Sequence, residues 1–287
     1  MRIIGLVGLL ALAVGCNTGK TSHAMFSSGA ELGEVDKRLE EASGLAASAM
    51  HPGFLWTVND NGNPPEVYLI DQHARIRMVC KLPNVRNRDW EDIAIGAGTQ
   101  VGKSYVYVGD IGDNDAQYDF KLIYRFEEPV LSPDKEIVIT NYDTLVLRVP
   151  DGNRDAETIL IDPLTHDLFI VTKRENNVGL YRCRYPFAQD TSTMEKVSTL
   201  HLTSIVAGSI SADGQEVLLK NYGKIFYWKK SDNESLPSLL AREPIELDYD
   251  REPQGEAITW AGDGSGFYTL SEKKGGGASL LVYRRIR

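Results

Sequence analysis

The chain has 287 residues, of which 25% are charged and 42% hydrophobic, with 40 acidic against 31 basic side chains and a formal net charge of −9. Nucleic-acid phosphates repel a chain of that sign, which argues against such a partner. Three cysteines are too few for a disulfide framework, and no stretch reaches the ~20 apolar residues of a membrane-spanning helix.

Residues 1–15 read as a signal segment. Met1-Arg2 gives a positive start, Ile3 to Val14 is apolar apart from two glycines, and Ala13-Val14-Gly15-Cys16 runs through compact residues to a cysteine. The ending resembles a bacterial lipobox, with cleavage before Cys16 and a lipid on its thiol, although Ala13 stands where leucine is commoner. An ordinary secretory signal with an incidental cysteine is the alternative. Asn17 is not the aspartate that holds such proteins at the inner membrane. The expected address is therefore the cell envelope, lipid-anchored at the outer membrane, on its periplasmic or surface face. Residues 16–30 read as the lipidated cysteine and a small, polar, flexible tether, leaving 31–287 as one domain.

Within that domain a pattern recurs. Ser43-Gly-Leu-Ala, Glu91-Asp-Ile-Ala, Glu157-Thr-Ile-Leu, Gly208-Ser-Ile-Ser and Glu256-Ala-Ile-Thr start 48, 66, 51 and 48 residues apart. Each is followed by a turn and a second apolar run: LWTVND to Asp60, VYVGD to Asp110, LFIVTK to Lys173, VLLKN to Asn221 and FYTLSE to Glu272. A third run centres on Tyr68, Tyr124, Tyr181, Phe226 or Tyr283, and a fourth is amphipathic, as in 76–82, 143–149, 196–202 and 244–249. Turn residues such as His51-Pro-Gly, Ala212-Asp-Gly and Gly262-Asp-Gly separate the first two runs. Four strands per unit of about 50 residues predict an all-β, five-bladed β-propeller of four-stranded antiparallel blades. The fifth unit lacks its outer strand, which residues 31–39 are expected to supply. Six blades is the alternative, if the long second unit (89–150) hides one. Cys80 and Cys183 fall in strands of non-adjacent units and read as buried apolar residues.

The first strand of a blade lines the central channel, so the aligned column Ser43, Glu91, Glu157, Ser209 (or Gly208) and Glu256 is expected to meet there. Carboxylates converging on one axis raise one another's pKa unless a cation sits among them. Oxygen-only donors suit a hard ion, Ca2+, better than zinc. The alternative is a set of separate, solvated side chains. The ends of the second strands add Asp60, Asp110, Lys173, Asn221 and Glu272 to the same mouth. Arg88, Lys220, Arg154 and Arg174 fall near it, either as ion pairs or as binders of an anionic ligand. Gly109–Asp115 and Asn59–Asn63 have the composition of cation loops or of ordinary turns. None of the five histidines enters these columns, and neither a Ser/His/Asp triad nor a Gly-rich phosphate loop is present.

The strings Ser43-Gly-Leu-Ala, Asn59-Asp-Asn-Gly, Arg88-Asp-Trp-Glu-Asp-Ile-Ala, Gly109-Asp-Ile-Gly-Asp-Asn, Asp155-Ala-Glu157 and Gly255-Glu-Ala-Ile-Thr-Trp resemble a family of uncharacterised bacterial β-propeller lipoproteins. More distantly, the order Ser43, Glu91, Glu157, Ser209, Glu256 is similar to the calcium-binding series of the calcium-activated nucleotidases (apyrases). That likeness implies a central Ca2+ held by these residues. LWTVNDNG and VYVGDIGDN lie where that family has LYSVDDRTG-like and LYVGS-GKE-like segments. Asn61 replaces the arginine of the first, and Asp113-Asn114 the Lys-Glu pair of the second, departures that bear on nucleotide hydrolysis.

The expectation is thus a monomeric, membrane-anchored propeller with Ca2+ at Ser43, Glu91, Glu157, Ser209 and Glu256, and a small anionic ligand at Arg88, Lys220 and Glu272. If it is an enzyme, metal-assisted phosphoester or phosphoanhydride hydrolysis is expected, with Lys173 clamping charge and Asp60 or Asp110 positioning water. The alternatives are a non-catalytic surface module for a protein or glycan, and a calcium-dependent esterase or lactonase-like propeller.

Overall fold

The computed structural model describes residues 24–188, 190–273 and 277–286. The signal segment, Cys16 and most of the tether lie outside them. Five antiparallel sheets form, each built around four strands that run from the axis outward. The innermost strands are Ala42–Ala47, Trp90–Ala97, Ala156–Ile161, Ile205–Ile210 and Gly255–Trp260. Each packs beside the next, and the fifth returns to the first, closing the ring. The architecture is a five-bladed β-propeller.

Ring closure comes from the N-terminal side. Ala30–Glu34 pairs antiparallel with Ser279–Arg284 and completes the fifth blade. The folded part begins earlier than residue 31: Phe26 bridges Arg285 and is buried against Trp260 and Phe267, so the last residues read as tether belong to the blade. The long second unit holds no sixth blade. Its extra residues cross to the first blade, where Glu136–Val138 adds a parallel strand beside Ile76–Lys81. Similarly, Ser192–Thr193 adds a parallel edge to the second blade.

Strand alternation explains the core. Each sheet is covered on both faces by its neighbours, so its strands run apolar on both sides. The result is five hydrophobic clusters, one at each blade interface. Trp56, Trp90 and Phe126 fill the interface between the first two blades. Burying a side chain of this class contributes about 1.5–3 kcal/mol. Cys80 and Cys183 are buried free thiols in the first and third blades. Among the described residues helix is confined to Leu236–Leu240 and a 3-10 turn at Lys37–Leu39, and none of it could cross a membrane.

Adjacent inner strands share no ladder and are joined through side chains instead. Ser43 Oγ donates to the Glu91 carbonyl at 2.5 Å, and Asp92 Oδ2 accepts from Ile159 N at 2.9 Å. Ser209 Oγ accepts from Trp260 N at 3.2 Å, and Thr259 Oγ1 accepts from Ala47 N at 3.2 Å. Between the third and fourth blades Gly208 lets the strands touch, since a Cβ there would sit 2.9 Å from Thr158 Cγ2.

Candidate functional site

Each inner strand carries a bulge near its start. Glu91, Glu157, Val206 and Glu256 are the residues skipped by the register in blades two to five. A bulge leaves its extra residue outside the ladder and re-aims it. Three glutamates are thereby gathered at one mouth of the channel, as the repeat predicts. In the first blade the skipped residue is Gly44; Ser43, expected in the ligand column, instead pairs with Val58, and its hydroxyl is engaged as a donor to the second blade.

Ser209 does not join them. The fourth-blade residue in the glutamate column is Val206, three positions earlier. Ser209 lies further along the strand, where it joins blades four and five. A deletion of polar character in one repeat unit displaced the alignment, because the serine is the nearest residue chemically similar to a ligand.

A one-residue slip also affects the second column. Asn59, Asp110, Thr172, Asn221 and Ser271 pair with the first residues of the inner strands. The next residues are Asp60, Ile111, Lys173, Tyr222 and Glu272, and all of them except Ile111, which is buried in the apolar cluster between blades two and three, reach the mouth. In four of these blades that next N–H bonds the carbonyl two residues before the column position: Asp60 to Glu41 at 2.9 Å, Ile111 to Asp89 at 3.1 Å, Lys173 to Asp155 at 3.0 Å and Glu272 to Gln254 at 3.1 Å. Since strand side chains alternate, one step reverses the face. Asp110 accordingly points away from the mouth. It is fully buried and accepts from Arg88 Nε at 3.0 Å. Arg88 is used up by that carboxylate, by the carbonyls of Asp110 and Phe120, and by the Tyr118 ring. Neither residue is placed to hold a ligand or to position water. Lys220 is likewise a core residue, fully buried, with Nζ 2.5 Å from the Gly255 carbonyl and over the Tyr249 ring. Burial lowers its pKa to about 8.

Two aspartates escaped the sequence reading. Carboxylate oxygens of Asp60, Asp89 and Glu91 lie within 4.8 Å of one another, as do those of Glu91, Asp155 and Glu157. Glu91 belongs to both sets. Asp89 and Asp155 stand two residues before the column glutamates, and the Asp-x-Glu repetition in these two blades is the signal that could have revealed them. Their placement is built into the Asp110–Asp115 loop. Ile111 N and Gly112 N both bond the Asp89 carbonyl at 3.1 Å, and Asp113 N donates to Asp155 Oδ1 at 2.8 Å. A Cβ on Gly112 would run into Asp89 and the Glu91 carboxylate, so only glycine permits this approach. Asp113 is closed by Gln117 N, Tyr118 N and Lys121 Nζ. The loop is thus a supporting turn that orients Asp155.

The charge balance at the mouth is one-sided. Glu91, Asp89, Asp155, Glu157, Glu256 and Glu272 are all buried, and Asp60 is half-buried. Burial, reinforced by Glu157, Asp60 and Asp89, holds Glu91 well above the usual carboxylate range. Burial raises Glu157 to about 7 despite Lys173, and raises Glu256 to about 8 with help from its hydrogen bond to Glu272. Asp60 is raised to about 6, again chiefly by burial. Lys173 reaches into the group, touching Glu157 and lying 3.1 Å from the Tyr222 hydroxyl, which donates to Glu256 at 2.6 Å. Burial opposes its charge, but Glu157, Glu91 and Glu256 outweigh that and raise its pKa. Arg174 contacts Asp155 from the exposed rim at 2.5 Å.

The molecule is by its architecture a five-bladed propeller with an acidic channel mouth. No protein-family model and no curated protein matches the chain. Among solved structures it is similar to a nidogen/laminin complex (TM-score 0.46, 12% identity, covering 85% of this chain and 84% of the other). Others are the WD40 repeats of RRP9 (0.42, 9%, 84% and 79%) and the hydrazine synthase of Kuenenia stuttgartiensis (0.44, 10%, 85% and 83%).

Proposed function

We propose that this protein is an extracytoplasmic binding module whose acidic channel mouth holds a hard divalent cation, Ca2+, between the first three blades. One observation carries the reading: there are two overlapping triads of carboxylates, sharing Glu91, and within each triad the oxygens lie within 4.8 Å of one another. Two oxygens on one Ca2+ lie at most about 5 Å apart, since each bond is 2.3–2.6 Å. The donors are all oxygens and include no histidine or cysteine, which suits calcium over zinc. Asp60, Asp89, Glu91, Asp155 and Glu157 replace the ligand set expected from the serine-containing column. Lys173 borders the site and is the group through which a small anionic ligand would be held.

The proposed lipid anchor at Cys16 fits this polarity. Phe26 packs beside Trp260, at the end of the channel opposite the acids. A tether leaving there turns the acidic mouth away from the membrane.

The test uses full-length protein carrying Cys16→Ser, stripped with a chelator and titrated with CaCl2. At 100 times Kd the ion contributes about 2.7 kcal/mol, a Tm rise of roughly 5–10 °C for a domain of this size. Glu91→Gln removes the residue common to both triads and should abolish the rise. No calcium-dependent shift and no binding heat at millimolar Ca2+ would refute the proposal. The same preparations assayed on nucleotides and phosphomonoesters decide between a hydrolase and a module. Calcium-dependent turnover lost in Lys173→Met establishes the former, and none leaves the latter.

A further inference from the structure

The opposite end of the channel is chemically unlike the acidic mouth. There the later residues of the inner strands, among them Ala47, Ile95, Ile161, Ile210 and Trp260, and the loops after them enclose a cavity of about 570 Å³ reached by all five blades. Ile95 and Ile210 line it while remaining partly open to solvent. Its polar groups are few and mostly engaged. Ser209 and Thr259 join neighbouring strands, Ser48 donates to the buried Glu128 at 2.5 Å, and Asp263 accepts from Ser265 N at 2.9 Å. No lysine, arginine or histidine is among the lining residues.

We propose that this cavity is a second binding site, taking a neutral, mainly hydrocarbon small molecule that carries at most one or two hydroxyl or amide groups. The volume falls in the 300–1,000 Å³ range of small-molecule sites, which combine apolar walls with a few polar groups. An anion would lose its hydration without meeting a cation in the wall, a cost of several kcal/mol. A cation would meet one carboxylate, already bonded to its own turn. A neutral ligand loses little water and covers the exposed edges of Ile95 and Ile210. Its hydroxyl or amide can bond the backbone edges of the inner strands, which have no ladder partner on the channel side. The site does not depend on the acidic mouth, and no carboxylate of the two triads lines it.

The test pairs two fluorescent probes sharing a ring system, applied to full-length protein carrying Cys16→Ser. N-phenyl-1-naphthylamine is neutral, whereas 1-anilinonaphthalene-8-sulfonate carries a negative charge. The neutral probe should bind one-to-one, at least tenfold more tightly than the sulfonate. Ala94→Phe, which places a ring in the cavity, should remove that component, while Glu91→Gln leaves it unchanged. Circular dichroism and Tm establish that each variant is folded, and Ala47→Phe substitutes if Ala94→Phe is not. Equal or tighter binding of the sulfonate, no one-to-one binding of the neutral probe, or its persistence in the folded filling variant would each overturn the proposal.

Discussion

Lys173→Met offers the most direct probe of the acidic mouth. The ammonium touches Glu157 and is drawn by Glu91 and Glu256, so it already occupies part of the space that a bound cation would neutralise. An ion held by Glu91, Asp155 and Glu157 must sit within about 5 Å of it, given calcium–oxygen distances near 2.4 Å. Two unit charges 4 Å apart repel by about 1 kcal/mol in water, so a divalent ion is opposed by about 2 kcal/mol even at full screening. Methionine keeps the length of the side chain and removes the charge. Calcium affinity should therefore rise about 30-fold. The measurement belongs at about pH 8.5, where protons compete least with the ion for Glu157 and Glu256, whose pKa values stand at about 7 and 8. Isothermal titration against a chelator gives the constant directly, and the chelator-treated variant should also be less stable, having lost its internal counter-charge. An affinity that is unchanged or lower would show that Lys173 does not compete with the ion, and the proposed position of the metal would fail.

Two further outcomes follow from the same electrostatics. Glu157, Glu256 and Asp60 have folded-state pKa values above their unfolded ones, so the stability they contribute is fully present below about pH 4 and is lost as pH rises through about 6 to 8. Surface acids with depressed pKa values, such as Asp213 and Asp263, act oppositely and only in more acidic solution. Chelator-treated protein should thus melt several degrees lower at pH 8 than at pH 5.5, with calcium restoring most of the difference at pH 8; a flat profile would contradict the clustering. Asp110→Asn breaks the buried pair with Arg88 and should cost about 3 kcal/mol or more, a Tm loss of roughly 6–12 °C, while leaving calcium affinity unchanged. A large affinity loss in the folded variant would return Asp110 to the site.

The blade count was legible because a propeller repeats its demands. Every unit buries the same strand faces, and the third-strand aromatics Tyr68, Tyr124, Tyr181, Phe226 and Tyr283 all lie in the expected strands. The glutamates were legible for a related reason: a bulge at the same place in successive inner strands re-aims the same position. Asp110 and Ser209 were misplaced because polarity alone does not report register. Asp110 and Ile111 differ by one step, and both are buried, the aspartate against Arg88 and the isoleucine in the apolar cluster between blades two and three, so a polar side chain at a strand end does not by itself mark the open face. Tyr222 was passed over for Asn221 on the same logic, yet it is Tyr222 that links Lys173 to Glu256. Asp89 and Asp155 were hidden by another effect: they precede the strands, and only the folding of the Asp110–Asp115 loop brings their carboxylates toward Glu91.

The polarity of the channel follows from how the inner strands are joined. Near their starts three of the five strands carry a glutamate on a bulge, where backbone groups leave the ladder and side chains turn inward. Further along, Asp92, Ser209 and Thr259 replace the missing ladder between blades, which consumes the polar groups of that level. Beyond it the side chains around the axis are mainly apolar, Ile95, Ile161, Ile210 and Trp260 among them. A channel assembled this way must be acidic at one end and apolar at the other, because the hydrogen bonds that hold the ring closed lie between them. The two proposed ligands, of opposite chemistry, would then occupy the two ends without competing, and substitutions at Glu91 and at Ala94 should separate them.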